Sequence, residues 1–123
     1  MAKRVLVVDD EPNIVMSLEF LMRRAGFEVA VARNGREALQ ALDGEPPVLL
    51  LLDVMMREFE GYEVCEQIRA RPAWNRTKIV MLTARGREVE RERGLALGAD
   101  AYVTKPFSTR DLVDQVKRML DVA

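Results

Sequence analysis

The sequence has no histidine and only one cysteine, Cys65. Without imidazole there is no histidine general base, no Ser-His or Cys-His nucleophile pair and no histidine-ligated zinc. The protein cannot carry a phosphohistidine of its own. A lone cysteine makes no internal disulfide, in keeping with a reducing compartment, and Cys65 is expected to behave as a small buried apolar residue. No apolar run approaches transmembrane length, and the N-terminus lacks the apolar region of a signal peptide. The default expectation is a cytoplasmic location with no membrane contact. The 19 basic residues are matched by 20 acidic ones, for a net charge of −1. Nothing in that balance drives direct nucleic-acid binding or attraction to an anionic membrane. Any chemistry falls to carboxylates, hydroxyls, lysine and arginine.

Apolar segments that end abruptly in a polar residue are plentiful. Val48-Leu49-Leu50-Leu51-Leu52 is wholly apolar and runs into Asp53. Core packing explains that carboxylate poorly. A buried parallel strand that delivers one acid to the rim of a sheet, where open α/β folds keep their sites, explains it well. Arg4-Val5-Leu6-Val7-Val8 likewise ends in Asp9-Asp10, and Lys78-Ile79-Val80-Met81-Leu82 ends in Thr83. Three strands finishing this way point to one assembled site.

Strand-like runs alternate with helical patterns along the whole chain. The first strand covers residues 4–8. Pro12 suits the first turn of a helix, whose inward stripe is Ile14, Leu18, Leu21, Met22 and Ala25, closed by Gly26. Glu28–Ala32 reads as the second strand and Asn34-Gly35 as a turn, before a short helix with Ala38, Leu39 and Leu42 inward. Val48–Leu52 is the third strand, Gly61–Ala70 a helix, 71–77 a loop containing Trp74, and Ile79–Leu82 the fourth strand. A charged helix follows at about 87–97, then a fifth strand at Ala101–Thr104. The last helix carries Leu112, Val113, Val116, Met119 and Leu120 on one stripe, with Ser108 and Asp111 as a capping pair.

Five βα units without repeat or linker suit a single domain over residues 1–123. Right-handed crossovers favour an α/β, doubly wound, five-stranded parallel sheet of flavodoxin-like order 2-1-3-4-5. In that order Asp9, Asp10 and Asp53 converge on one rim. Thr83 falls one strand away, roughly 5 Å, and Lys105 two strands away, roughly 10 Å, within reach of a lysine arm.

Four fragments at these spacings together resemble the receiver domain of bacterial two-component response regulators. Val7-Val8-Asp9-Asp10-Glu11 is similar to the family's acidic pair, and Leu52-Asp53-Val54-Met55-Met56 to its phosphoacceptor segment, with Gly61 at the expected offset. Met81-Leu82-Thr83-Ala84 is similar to the switch hydroxyl, and Gly98 through Lys105-Pro106-Phe107 to the fifth strand with its Lys-Pro. The similarity covers essentially the whole chain. One departure is Arg57, where family members usually carry a proline. A change in loop conformation and partner contacts is expected there.

The resemblance implies a phosphorylation-controlled signalling switch rather than an enzyme. Asp53 would accept a phosphoryl group from a phosphohistidine on a sensor histidine kinase or histidine phosphotransfer protein. Asp10, Asp53 and the backbone carbonyl of Met55 would ligate Mg²⁺, with Asp9 acting mainly through bound water. Three clustered acids repel one another, and a hard cation with oxygen ligands relieves this. Lys105 would place its ammonium on a phosphoryl oxygen, with the family's cis bond to Pro106, a geometry X-Pro alone makes affordable. Thr83 would donate its hydroxyl, and Tyr102 would report the change. Met55 and Arg85 would flank the path of hydrolytic water. Apart from the resemblance, Val15, Met16 and Phe20 fall off the inward stripe of the first helix, and surplus apolar residues near the rim suit a helical partner. Val15, with Pro106 and Phe107, is expected to contact the phosphodonor, with packing against the last helix as the alternative for Phe20. The oligomeric expectation is a monomer or a phosphorylation-dependent dimer. The dimer mode that uses charged partners at positions 101 and 115 is weakened here by Ala101 and Gln115, although Arg91 and Asp111 remain available as one pair.

Two other classes fit less well. Aspartyl-nucleophile phosphatases of the haloacid-dehalogenase type place a second Asp two residues after the nucleophile, where this chain has Met55. A flavin or nucleotide carrier on the same fold would meet Asp9-Asp10-Glu11-Pro12-Asn13, an acidic loop without glycine that repels phosphate in the absence of a cation.

Overall fold

In a computed structural model of the chain, the described residues are 3–56, 61–83 and 88–121. Five parallel strands form one sheet in the order β2-β1-β3-β4-β5, as expected from the sequence. The strands are β1 (Arg4–Val8), β2 (Glu28–Ala32), β3 (Leu49–Asp53), β4 (Lys78–Thr83) and β5 (Ala101–Thr104). The helices are α1 (Pro12–Arg24), α2 (Gly35–Leu42), α3 (Gly61–Arg69), α4 (Glu88–Ala96) and α5 (Thr109–Met119). None is long and apolar enough to cross a membrane among the described residues.

The pleat divides the core in two. Val5, Val7, Leu49, Leu51, Val80 and Leu82 face α1 and α5, where Leu18, Met22, Leu112 and Val116 complete one apolar layer. Leu6, Val8, Leu50, Leu52, Ile79 and Met81 face the other way, onto Ala38 and Leu42 of α2 and Val64, Cys65 and Ile68 of α3. Because β3 is covered on both faces, its apolar run is continuous rather than alternating. β3 begins at Leu49 rather than Val48 and takes Asp53 into the ladder, opposite Leu82. Val48 still joins the sheet through its backbone, donating to the Arg4 carbonyl at 2.9 Å and accepting from the Lys78 N–H at 3.0 Å.

The starts of α2 and α5 are capped by polar side chains. Asn34 does more than turn the chain: its Oδ1 accepts from the Glu37 N–H at 2.9 Å, while Glu37 Oε1 accepts from the Arg33 N–H at 2.9 Å. Each bond satisfies an amide that the helix leaves without an internal partner. Ser108 Oγ accepts from the Asp111 N–H at 3.2 Å, as the capping pair required. Cys65 is fully buried, and burial pushes its thiol up to about 11. It is a packing residue, inert as a nucleophile at neutral pH.

Two local expectations need correction. The 71–77 segment is not a plain loop. Pro72–Trp74 forms a 3₁₀ turn, and Trp74 is buried in the layer shared with α2 and α3, its ring 4.6 Å from the Arg71 guanidinium carbon. Pro72 at the start of the turn supplies the geometry that aims the indole inward. On α1, Val15 packs partly into the core, whereas Met16 and Phe20 stand outward at 69% and 61% exposure. Phe20 therefore does not seat against α5. The Arg57–Glu60 stretch, Arg85 and the start of the charged run lie outside the described residues.

Removing a large aromatic from such a layer leaves a cavity. Trp74→Ala is expected to cost about 3 kcal/mol, read as a lower urea midpoint at unchanged slope. An unaltered midpoint would show that the indole contributes no packing.

Candidate functional site

Three strand ends and one loop deliver the site. β1 ends at Val8, and Asp9 follows with its backbone N–H still bonded to the Ala32 carbonyl at 3.1 Å. Asp9 is therefore held in the frame of the sheet and is only 1% exposed. Its Oδ1 accepts from the Glu11 N–H at 2.9 Å, an Asx turn that bends the chain into α1. The residue preceding α1 is Glu11, which makes no side-chain cap. Asp10 is exposed and points its carboxylate into the same cluster: one carboxylate oxygen from each of Asp9, Asp10 and Asp53 lies within 4.8 Å of the others.

Asp53 is the last residue of β3 and is 6% exposed. Its Oδ1 accepts from the Met55 N–H at 3.2 Å. The segment behind it is fixed by two backbone bonds, from Val54 N–H to the Leu82 carbonyl at 3.0 Å and from Gly61 N–H to the Val54 carbonyl at 2.9 Å. Gly61 is required by close approach. A Cβ there would stand 2.6 Å from the Asp53 carbonyl oxygen and 2.8 Å from the Val54 Cα, both backbone atoms that cannot yield cheaply. The offset between Asp53 and Gly61, read in the sequence as part of a family pattern, has this steric cause.

Lys105 enters from β5. Its backbone N–H donates to the Thr83 carbonyl at 2.6 Å, and the Lys105–Pro106 peptide is cis. Its Nζ lies 3.5 Å from Asp9 Oδ2 and 3.6 Å from Asp53 Oδ1, bridging the two buried acids. Asp9 Oδ2 is buried and has no hydrogen-bond partner among the described residues. The lysine serves it as a counter-charge rather than through a well-formed hydrogen bond. Thr83 is fully buried at the end of β4, paired in register with Thr104. Met55 follows Asp53 by two residues and is 47% exposed. Of the anticipated residues, the carboxylates of Asp9, Asp10 and Asp53 and the ammonium of Lys105 lie together, while Met55 and Thr83 join through their backbones, to Asp53 Oδ1 and the Lys105 N–H.

Tyr102 is half-buried against the α3 layer, and its hydroxyl lies 3.3 Å from that of Tyr62. Tyr62 was not singled out from the sequence. The available signal was an aromatic directly after the glycine that touches Asp53. Arg69 and Asp100 were also missed: Asp100 Oδ2 accepts from Arg69 Nη2 and from the Ile79 N–H, each at 2.8 Å, tying α3 to the start of β4. Within this chain Arg91 faces Glu88 at 3.8 Å on the same helix.

The electrostatics of Asp53 follow from this arrangement. Burial first, and then the Asp9 carboxylate, push its carboxyl up from the ordinary value, against the pull of Lys105 and the Met55 N–H, with Asp10 adding a smaller push. A carboxyl raised on folding binds its proton more tightly in the folded chain. Its contribution to stability is present below the ordinary carboxylate range and is lost as pH rises through the raised value. Ionised Asp53 therefore costs stability at neutral pH in metal-free protein. Asp53→Asn is expected to raise the Tm by several degrees at neutral pH in chelator. That gain should shrink as pH falls and vanish below roughly pH 4. A variant that melts lower than the parent at neutral pH would contradict the assigned strain.

The comparisons with known proteins agree with this geometry. The response regulator receiver domain family matches residues 5–117. The alkaline phosphatase synthesis transcriptional regulatory protein PhoP of Bacillus subtilis (strain 168) is 45% identical over 120 residues, 98% of this chain. The chain spans about half of that relative's length, 49%. Among solved structures, a putative response regulator from Chloroflexus aurantiacus superposes with a TM-score of 0.92 at 36% identity, covering 98% of this chain and 99% of that one. A CheY-like receiver domain protein from Methanospirillum hungatei superposes with a TM-score of 0.88 at 34% identity, covering 98% and 95%. Sequence, sheet order and acidic rim lead to one assignment: the chain belongs to the response regulator receiver domain family.

Proposed function

We propose that this chain is a signalling switch that takes a phosphoryl group on Asp53 from the phosphohistidine of a histidine kinase or phosphotransfer protein, in the cytoplasm and with Mg²⁺. The observation that carries this reading is a nearly buried carboxylate held against two further acids, with one lysine bridging it to Asp9. Positioning and charge neutralisation, rather than a strong base, are what phosphoryl transfer asks of a protein.

The donor set fits a hard divalent cation. Asp9, Asp10 and Asp53 offer oxygens close enough to share one ion, and Asp9 Oδ2 is a buried acceptor without a hydrogen-bond donor among the described residues. Asp10 and Asp53, with the Met55 carbonyl, would hold Mg²⁺ directly and Asp9 through water. When bound, the ion neutralises the acids and draws charge from the phosphoryl oxygens. The chain's own residues do the rest. An Asp53 carboxylate oxygen attacks phosphorus as the phosphorus–nitrogen bond to the donor imidazole breaks, and the imidazole leaves and takes up a proton. This yields an acyl phosphate. Lys105 moves its ammonium from the two carboxylates to a phosphoryl oxygen, and the Thr83 hydroxyl donates to another. On α1, Met16 and Phe20 supply the exposed apolar surface for the donor, with Pro106 and Phe107 beside the site, in place of Val15.

Acetyl phosphate with Mg²⁺, followed by mapping of the adduct, tests the assignment. Asp53→Asn should abolish labelling, and full labelling of that variant at another residue would sink it. Asp10→Ala is expected to weaken Mg²⁺ binding roughly tenfold more than Asp9→Ala, measured by calorimetric titration. Equal losses would contradict the assigned ligands.

Phosphoryl lifetime is the second quantity the site sets. The thioether of Met55 gives water no good hydrogen bond and cannot act as a base, and its side chain is exposed two residues past Asp53. Self-dephosphorylation is therefore expected to be slow. Met55→Asn should speed phosphoryl decay several-fold in Mg²⁺ buffer, and decay that is unchanged or slower would show that Met55 shields nothing.

A further inference from the structure

Helix α4 is seated differently from the other helices. α1, α2, α3 and α5 each bury apolar side chains, as an amphipathic helix must to be held by its tertiary contacts. In α4 the buried residue among Glu88–Ala96 is Gly94, while Val89 and Leu95 face outward. The helix backbone lies directly against the sheet there. A Cβ on Gly94 would stand 2.8 Å from Met81 Sδ and 3.0 Å from the Tyr102 ring. Little apolar side-chain surface therefore fastens this helix.

Polar contacts from one residue fill that role. Tyr62 is fully buried, and its hydroxyl donates to the Glu90 backbone carbonyl at 3.1 Å. The Arg93 guanidinium carbon lies over the Tyr62 ring, 4.3 Å from its centroid. The same hydroxyl is 3.3 Å from that of Tyr102. Tyr62 has one proton, and with that proton on Glu90 the donor in the tyrosine pair is Tyr102. A directed line of hydrogen bonds thus runs from β5 through α3 into the backbone of α4. Burial pushes ionisation of Tyr62 above the usual tyrosine range, so the hydroxyl keeps its proton. One contact opposes the seat: Glu90 Oε2 is buried without a hydrogen-bond partner among the described residues, which costs free energy whenever α4 is docked.

We infer that Tyr62 is a clasp, a positioning residue whose hydroxyl holds α4 on the sheet and couples the helix to both walls of the acidic site. One wall is reached through the backbone. Tyr62 directly follows Gly61, which bonds to the Val54 carbonyl and lies against the Asp53 carbonyl. The other is reached through Tyr102, on the strand that leads into Lys105. The clasp stands on this geometry; its use in signalling rests on Asp53 being the phosphoacceptor.

Amide hydrogen exchange of the unphosphorylated full chain, read by mass spectrometry, tests the clasp in the parent, Tyr62→Phe, Tyr102→Phe and the double variant. Loss of one buried hydrogen bond should speed exchange about five-fold in peptides covering residues 88–97, with α1 and α5 unchanged. The double variant should exchange no faster than Tyr62→Phe, because Tyr102 acts on α4 through the Tyr62 hydroxyl. Arg93→Met, which keeps both hydroxyls, should give a smaller rise, about two-fold. Unchanged exchange over 88–97 in Tyr62→Phe, a rise equal in all helices, or additive effects in the double variant would overturn the proposal. Acetyl phosphate labelling of the same proteins separates the two ideas. A parent that takes no phosphoryl group removes the functional reading and leaves the clasp. Labelling at Asp53 with α4 exchange indifferent to Tyr62 removes the clasp and leaves the phosphoacceptor.

Discussion

Two carboxylates buried side by side are the constraint on which the rest of this structure depends. Asp9 and Asp53 lie at the ends of neighbouring strands, each almost out of contact with water, and the ammonium of Lys105 sits 3.5 Å from one and 3.6 Å from the other. Taking a carboxylate out of water is costly unless charge and hydrogen bonds compensate. Among the described residues each acid receives one backbone N–H, from Glu11 or Met55, and a share of one lysine. That leaves Asp53 with a raised pKa and Asp9 with a buried oxygen that has no donor among the described residues. Three acids share one lysine among the described residues, a donor set that suits the cation proposed above.

Such a site persists only where the backbone cannot relax away from it. β3 is sealed by apolar layers on both faces, and its four leucines are fully buried. The strand cannot slip without exposing one face or the other. Gly61 closes the other side, packed so tightly on the Asp53 carbonyl that a methyl group has no room. Core rigidity and site strain are thus one arrangement: the close-packed sheet holds acids where, left alone, they would part.

The sheet and the acidic rim were legible in the sequence because both follow from local rules. Buried parallel strands leave unbroken apolar runs, and a polar residue at the end of such a run stands out against them. The 2-1-3-4-5 order then puts Asp9, Asp10 and Asp53 on one rim without any knowledge of side-chain contacts. Lys105 was placed by the reach of its arm and by the family pattern. What stayed hidden depends on contacts between distant segments. Trp74 reads as a loop residue until Pro72 is seen to turn it inward. Val15 and Met16 are both apolar and adjacent, and only the packing of α1 on the sheet layer decides that Val15 is partly buried and Met16 exposed. Tyr62 sits at a helix start, where an aromatic is unremarkable by periodicity. Its hydroxyl meets Tyr102 and Glu90 only after α3, α4 and β5 are assembled.

A buried acid differs from a surface acid in how far its charge is felt. At an exposed position, added charge is screened within a Debye length and moves nothing. At Asp53, added charge acts on the Asp9 carboxylate and the Lys105 ammonium through an interior that water does not fill. Lys105 is bound through its backbone to Thr83 and continues the strand that carries Tyr102. A shift of either is passed on by packing rather than absorbed. Most of the fold has no low-cost response, since four of the five helices are fixed by buried apolar side chains. α4 is the exception, with a glycine at its seat and no other buried residue among Glu88–Ala96. Elements with few buried apolar contacts open at the lowest free energy. With Asp53 as the proposed phosphoacceptor, α4 is the element that would answer a change at the acidic rim, and a hydrogen bond worth about 1 kcal/mol is of the right size to hold it closed or let it open.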